Sequence, residues 1–135
     1  MSDPSAFPIG QRDQTHRYLT VSRMQHRPDL EGLQPIGEID LYTAPVLQRV
    51  LDDLDRRAVP AVVVDLSRVN FLAISGVRIL QEATERATRS NRRVVLANSS
   101  SLVKRVFVLT QALELLDVRE SVADALADLD EPANA

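Results

Sequence analysis

Short apolar runs that alternate with amphipathic helical segments are the feature that most restricts the fold of this chain. The run from Ala61 to Leu66 is apolar except for Asp65, and the run from Arg93 to Ala97 is similar. Runs of this kind are typical of strands covered on both faces of a sheet. Apolar residues at helical spacing predict helices over residues 44–57 and 75–90. The alternation predicts an α/β fold, a small sandwich with a mixed, mostly parallel β-sheet.

A short antiparallel strand pair is predicted to precede this alternation. The segments Tyr18–Val21 and Leu30–Ile39 are rich in β-prone residues, and a turn-like segment separates them. Pro35 has no backbone N–H, so we expect the second strand to lie at a sheet edge or to be bulged there. Thr43 is a suitable N-cap for the first helix. Pro45 then falls in the first turn, where its missing N–H costs nothing.

The C-terminal third of the chain predicts two further helices, which makes about four in all. We expect the third helix to start at Asn98 or Ser99, with an extension through Leu113 and Leu116, and Ser121 to cap the fourth. The 135 residues suit one domain. Residues 1–15 are mostly polar or small, contain two prolines and lack periodicity, which predicts a mobile tail. Residues 16–131 then form the domain, and residues 132–135 form a C-terminal tail.

The composition argues against several classes of function. Sixteen basic and nineteen acidic residues give a net charge of −3, so we expect no direct binding to nucleic acid or to a membrane surface. There is no cysteine, which excludes thiolate metal sites, and there are only two histidines, which argues against a His-rich metal site. We expect neither a metal nor a cofactor. The chain shows neither an apolar stretch of about 20 residues nor a signal-peptide pattern, so we expect a cytoplasmic protein.

Charge is unevenly distributed along the sequence. Six basic residues and no acidic one lie from Arg86 to Arg105, whereas seven acidic residues and only one basic residue lie from Glu114 to Glu131. Two interpretations remain open, a positive and a negative face or two ordinary solvated helix faces.

The parts of an enzyme active site are missing from the sequence. None of the common phosphate-loop, dinucleotide-binding, zinc-protease or serine-hydrolase motifs is present, and Ser75 has no histidine near it in the sequence. Asp40 and Asp65 each end a predicted strand, so they could form an acid/base pair or could cap turns. We expect turn caps and no enzymatic activity.

Three ordered motifs carry a resemblance to a known family. They are Gly37-Glu38-Ile39-Asp40 with Thr43-Ala44-Pro45, then Asp65-Leu66-Ser67 through Phe71-Leu72 to Ser75-Gly76, and then Asn98-Ser99 with Val103, Arg105 and Val106. In this order they resemble the signatures of STAS domains, and most closely those of bacterial anti-sigma factor antagonists. The middle motif ends a strand and opens a helix, at the sheet edge where open α/β folds meet their ligands and partners.

The resemblance implies a regulatory protein with an anti-sigma factor as its partner. In this family the antagonist binds an anti-sigma factor that has an ATPase-like serine-kinase fold, and so frees a sigma factor. Phosphorylation at the start of the second helix breaks the complex. The resemblance places the docking face around the residues Asp40, Thr43, Ile74, Ser75 and Gly76.

The sequence departs from the family pattern at the phosphorylation site. The acceptor position is Ile74, which cannot be phosphorylated, and the preceding aspartate is replaced by Ala73. We therefore expect a protein without the usual phospho-switch. Two roles remain open for Ser75, a substitute acceptor or a helix cap. Gln111 stands where relatives often have a glycine that ends the third helix, so we expect that helix to run on.

Other interpretations remain open at this stage. Ile74 could anchor an interface or could point into the core. The alternative function is a STAS-like accessory or sensory subunit that binds a small ligand or serves a transporter. The sequence leaves the oligomeric state open, a weak homodimer included.

Overall fold

The computed structural model describes residues 14–130, in which one mixed sheet is packed between helices. The strands are β1 (Gln14–His16), β2 (Leu19–Arg27), β3 (Leu30–Ile39), β4 (Ala61–Asp65), β5 (Val69–Leu72), β6 (Arg93–Ala97) and β7 (Val118–Arg119). The helices are α1 (Ala44–Arg56), α2 (Ile74–Arg89), α3 (Ser101–Leu109) and α4 (Val122–Asp130). A 3₁₀ segment, Ala112–Leu115, follows α3. The predicted α/β class, with four helices and a mostly parallel sheet, is confirmed.

The sheet order is β1-β2-β3-β4-β6-β7, and β5 pairs with the second half of β3. The pairs among β1, β2 and β3 are antiparallel, and all the others are parallel. Val62 and Val64 on β4 join the core beneath α1, α2 and α3, whereas Val63 joins a smaller core with residues of α4. Helices on both faces explain why β4 and β6 are apolar except at Asp65 and Arg93, which lie at strand ends, as the sequence predicted.

Pro35 is accommodated differently from the prediction. Strand β3 lies inside the sheet, with β2 on one side and both β4 and β5 on the other. Strand β4 pairs with residues 30–33 of β3 and β5 pairs with residues 37–39. Pro35 therefore lies where β3 changes its parallel partner, and the irregularities of register fall at Gln25/Arg27 and Gly37/Glu38 instead. The expectation of an edge strand or of a bulge at Pro35 was wrong.

Most of the predicted boundaries are close to the observed ones. The exceptions are the first predicted strand, which runs to Arg27 and not to Val21, and the third helix. Helix α3 starts at Ser101 and ends at Leu109. Ser100 is its N-cap, and the Ser100 side chain accepts a hydrogen bond from the backbone N–H of Val103. Gln111 adopts the left-handed conformation with φ of 58°, which turns the chain although no glycine is present. The predicted extension through Leu113 and Leu116 was wrong for this reason.

Three short elements differ from the sequence analysis. Strand β1 begins at Gln14, within the segment predicted to be a tail, and β5 and β7 were not predicted. The rest of the predicted tails, residues 1–13 and 132–135, lies outside the described residues. The predicted cap of α4 is confirmed, because the Ser121 hydroxyl accepts a hydrogen bond of 3.0 Å from the Asp124 N–H. No helix within residues 14–130 is long and apolar enough to cross a membrane.

Candidate functional site

The end of β3 and the start of α2 are joined by backbone contacts at the carboxyl edge of the sheet. Ile39 on β3 pairs with Leu72 on β5, and the carbonyl oxygen of Ile39 accepts a hydrogen bond of 2.8 Å from the Ala73 N–H. The loop that follows β3 and the first turn of α2 therefore lie side by side. This is the sheet edge at which the sequence analysis placed a docking face.

Asp40 and Thr43 lock the loop between β3 and α1. The Oδ1 atom of Asp40 accepts hydrogen bonds of 2.9 Å from the N–H groups of Tyr42 and Thr43. The Thr43 hydroxyl accepts from the Asp40 N–H and donates to the Glu38 carbonyl at 2.7 Å. Donation from the Thr43 N–H lowers the pKa of the Asp40 carboxyl. The loop is therefore rigid.

Thr43 has a different role from the one that we expected. It occupies the N-cap position of α1, but its side chain caps no N–H of the helix and is fully buried. Its hydroxyl holds the loop instead. Thr43 therefore shapes this loop from within, and the exposed side chains beside it belong to Leu41 and Tyr42.

Ser75 and Gly76 lie against the sheet in the first turn of α2. A Cβ atom on Gly76 would come within 2.5 Å of the Ile39 Cγ2 atom and 2.7 Å of the Leu72 Cδ1 atom, so glycine permits this close packing. The helix begins at Ile74 with Ala73 as the N-cap, so Ser75 is not the helix cap that we considered. Its hydroxyl oxygen is buried, with no hydrogen-bond partner among residues 14–130.

Four exposed apolar side chains surround this rigid edge, and we call them the edge surface. Their exposed fractions are 70% for Leu41, 79% for Tyr42, 48% for Phe71 and 61% for Ile74. The exposure of Ile74 contradicts the interpretation that it is a core residue. Leu41, Tyr42 and Phe71 were not among the predicted site residues. Leu41 and Tyr42 form an apolar pair between the end of β3 and the N-cap of α1, where polar turn residues are usual. This pair was the sequence signal that could have identified them.

The carboxylates of Asp40 and Asp65 accept hydrogen bonds from the turns that follow their strands. Asp65 accepts a hydrogen bond of 2.9 Å from the Ser67 N–H at one oxygen and one of 3.0 Å from the Gln34 amide at the other. Both Asp40 and Asp65 therefore cap turns, which is the interpretation that we favoured over an acid/base pair. No group of three metal-binding side chains occurs in the part of the chain that the structure describes.

The two charged segments do not form separate faces. Within the described residues, basic side chains of the first segment pair with carboxylates elsewhere, in the pairs Arg86–Asp52, Arg92–Asp55, Arg93–Asp117, Arg93–Asp128 and Lys104–Glu120. Arg78 lies before the basic segment, one helical turn after Ile74 on α2. It is exposed, and it has no ion pair within residues 14–130.

Comparisons with known proteins give a consistent result. The family model described as STAS domain matches residues 22–125. An anti-sigma-B factor antagonist from Staphylococcus epidermidis is 25% identical over 102 residues, which cover 76% of this chain and 94% of that protein. A crystal structure of an anti-sigma factor antagonist from Mycobacterium paratuberculosis is 26% identical, with a TM-score of 0.77, and covers 84% of this chain and 95% of that one.

A third similar protein has been solved in two states. The anti-sigma factor antagonist SpoIIAA in its unphosphorylated form is 16% identical, with a TM-score of 0.69 and coverage of 81% of this chain and 95% of that chain. Its phosphorylated form, from Bacillus, gives a TM-score of 0.63 at 14% identity, with coverage of 81% and 98%. At this identity the likeness concerns the fold alone.

Proposed function

Because this chain belongs to the STAS domain family, we propose that it is an anti-sigma factor antagonist, a binding protein and not an enzyme. In this role it binds an anti-sigma factor and so frees a sigma factor for transcription. The observation that carries the proposal is the edge surface, an exposed apolar cluster on a rigid edge of the family fold. Sigma factors act in the cytoplasm, so the proposed role places the chain there. The names of the similar proteins support the same role.

The edge surface has the properties of a docking site. Leu41 and Tyr42 are held by a loop that Asp40 and Thr43 lock, so little conformational entropy is lost when a partner covers them. Ile74 stands at the start of α2, where Gly76 fixes the helix against the sheet. Large apolar side chains on a rigid support are typical of residues that carry most of the energy of an interface.

We further propose that the partner is an anti-sigma factor with an ATPase-like serine-kinase fold, and that this chain escapes its phosphorylation. Ile74 has no hydroxyl, and the hydroxyl of Ser75 is enclosed by the protein, so a kinase would have to open the first turn of α2 to reach it. Phosphorylation would add about two negative charges at pH 7 to a surface that the partner must desolvate. Without an acceptor, the antagonist stays in its binding state.

A binding measurement tests the proposed partner. Each anti-sigma factor of the kinase type from the source organism is titrated with the purified chain by calorimetry. We expect a one-to-one complex with at least one of them. Ile74→Asp should weaken it by about 2 kcal/mol or more, because a carboxylate at the centre of an interface loses its water.

The control places the same charge on the opposite face. Ala127 is exposed on α4, across the sheet from α2, so Ala127→Asp should leave the affinity unchanged. If no anti-sigma factor binds, the proposed function is wrong. If a complex forms and both variants bind equally well, the docking face is not the edge surface.

Phosphorylation is tested separately by intact-protein mass spectrometry. After incubation with ATP and the anti-sigma factor, the unaltered chain should keep its mass. The double variant Ala73→Asp/Ile74→Ser restores the family pattern and should gain about 80 Da, the mass of one phosphoryl group. Stoichiometric labelling of the unaltered chain at Ser75 would contradict the proposal.

A further inference from the structure

Three arginines from separate parts of the chain border the edge surface. Arg17 lies in the turn between β1 and β2, Arg68 lies in the turn before β5, and Arg78 lies on α2. All three are exposed, and we call them the arginine rim. None of them has an ion pair within residues 14–130, where most arginines pair with a carboxylate and only Arg49 and Arg105 are also unpaired. The binding proposed above makes no use of these charges.

Backbone hydrogen bonds place two turns of the arginine rim on either side of β3. The Gly37 N–H donates to the Arg68 carbonyl at 3.0 Å, and the Glu38 N–H donates to the Tyr18 carbonyl at 2.9 Å. Gly37, with φ of 121°, permits this approach, because a Cβ atom there would come within 2.2 Å of the Tyr18 carbonyl oxygen. Leu41 follows three residues after Glu38, so both turns adjoin the edge surface.

Two of the arginines lie beside exposed large side chains. Arg78 follows Ile74 by four residues, so both side chains share one side of α2. The Arg17 Cζ atom lies 5.6 Å from the centre of the Tyr18 ring, a distance typical of a cation–π contact. Tyr18 is 53% exposed, so both tyrosines of the chain, Tyr18 and Tyr42, are exposed at this edge. Tyrosine and arginine are enriched in protein interfaces and among the residues that dominate their energy.

The carboxylates closest to the edge surface are less accessible than the arginine rim. Asp40 is half-buried and accepts N–H groups of its own loop, and Glu38 is half-buried on β3. Glu82 is exposed one helical turn after Arg78, farther from the edge surface, and it forms no ion pair within residues 14–130. The exposed charges that border the edge surface directly are therefore positive, although the net charge of the chain is −3.

We propose that the partner's docking face is acidic, with carboxylates that pair with the arginine rim around an apolar centre that covers the edge surface. This inference rests on the proposed antagonist function and specifies the chemistry of the partner. A guanidinium group presents a planar fork of N–H donors that fits a carboxylate at two points. Charges that complement each other around an apolar centre speed association, and they reject partners whose docking face is basic.

Association kinetics at two salt concentrations test the charge of the partner. The anti-sigma factor that binds the full chain in calorimetry is immobilised, and association is followed by surface plasmon resonance in about 0.1 M and about 0.5 M NaCl. We expect the association rate constant to fall about threefold or more at the higher concentration, because salt screens opposite charges. The combined variant Arg17→Glu/Arg68→Glu/Arg78→Glu should associate about tenfold more slowly at the lower concentration and should lose this salt dependence.

A matched pair of single substitutions on α2 locates the effect. Arg78→Glu should lower the association rate constant about twofold or more in about 0.1 M NaCl. Arg89→Glu changes the charge equally at an exposed position about 16 Å farther along the helix axis, beyond the Debye length of about 10 Å, and should leave the rate unchanged. Arg89 pairs only with the exposed Glu85, so its replacement costs little stability. Far-UV circular dichroism of all variants should match that of the unaltered chain.

The possible outcomes separate this inference from the antagonist function. If no anti-sigma factor binds, the antagonist function is wrong, and the inference is wrong with it. If one binds but associates equally fast or faster at the higher salt concentration, its docking face is not acidic. If Arg78→Glu and Arg89→Glu associate equally fast, the arginine rim does not face the partner. Either of the last two results would overturn the inference and leave the antagonist function standing.

Discussion

Replacement of Gly76 by alanine should destabilise the protein, although alanine is the better helix former. The added Cβ atom would lie 2.5 Å from the Ile39 Cγ2 atom and 2.7 Å from the Leu72 Cδ1 atom. Carbon atoms in contact prefer about 3.5–4.0 Å, so α2 or its neighbours must move by about 1 Å. Ile39 is fully buried and β-branched, so its methyl group cannot rotate away easily.

Two effects of opposite sign determine the size of this change. Glycine to alanine in a helix gains about 1 kcal/mol of intrinsic propensity. Overpacking of a filled core costs about 1–3 kcal/mol, and the rigidity of Ile39 favours the upper half of that range. We therefore expect Gly76→Ala to lower the free energy of unfolding by about 1–2 kcal/mol.

Urea denaturation followed by circular dichroism measures this difference. Thr88→Ala, at an exposed position on the same helix, serves as the control, and it should stabilise the protein by a few tenths of a kcal/mol through propensity. If Gly76→Ala stabilises the protein by about 1 kcal/mol, as at an exposed helix position, the close contact between α2 and the sheet is not as described. A shifted α2 should also weaken binding at the edge surface.

Three further predictions concern single positions. Ser75→Ala should raise the free energy of unfolding by about 1 kcal/mol in urea titrations, because it removes a buried hydroxyl that has no partner among the described residues; a loss of stability would show that the hydroxyl is satisfied. Gln111→Gly should stabilise the protein by about 0.5–1 kcal/mol in the same assay, since glycine adopts the left-handed conformation without strain; an unchanged or lower value would contradict this. Carbon-detected NMR titration should place the pKa of Asp40 below the ordinary aspartate range, because the folded loop donates N–H groups to its carboxylate. Because the folded pKa is lower than the unfolded one, the stabilisation by Asp40 is complete above the unfolded pKa and is lost as the pH falls through the folded pKa. An ordinary pKa at Asp40 would refute the described hydrogen bonds of the loop.

The pairing of distant charges shows where sequence patterns lose their meaning. Along the sequence the basic segment and the acidic segment are separate, which left open two oppositely charged faces. In the folded protein Arg93 on β6 bonds Asp117 before β7 and Asp128 on α4, and Arg86 on α2 bonds Asp52 on α1. The partners are 24 to 35 residues apart in these pairs. Local charge density therefore could not predict the surface.

The sequence by itself determined the main elements and their order, although it did not predict β5 and β7. A strand buried on both faces must be apolar at each position, and a helix packed on one side must repeat its apolar residues every three to four positions. These are local requirements, so the core strands β4 and β6 and the helices α1 and α2 were predicted almost to the residue. The sequence alone also shows that Ile74 cannot be phosphorylated, because its side chain has no hydroxyl.

Only the tertiary structure decided which of the motif residues face the solvent. Thr43 and Gly76 are buried and the Ser75 hydroxyl is enclosed, whereas Ile74 is exposed beside Leu41 and Tyr42. Pro35 lies inside the sheet because β3 exchanges one parallel neighbour for another at that point. Exposure and strand partnership depend on residues far apart in the chain, and the period of a single segment contains no information about them.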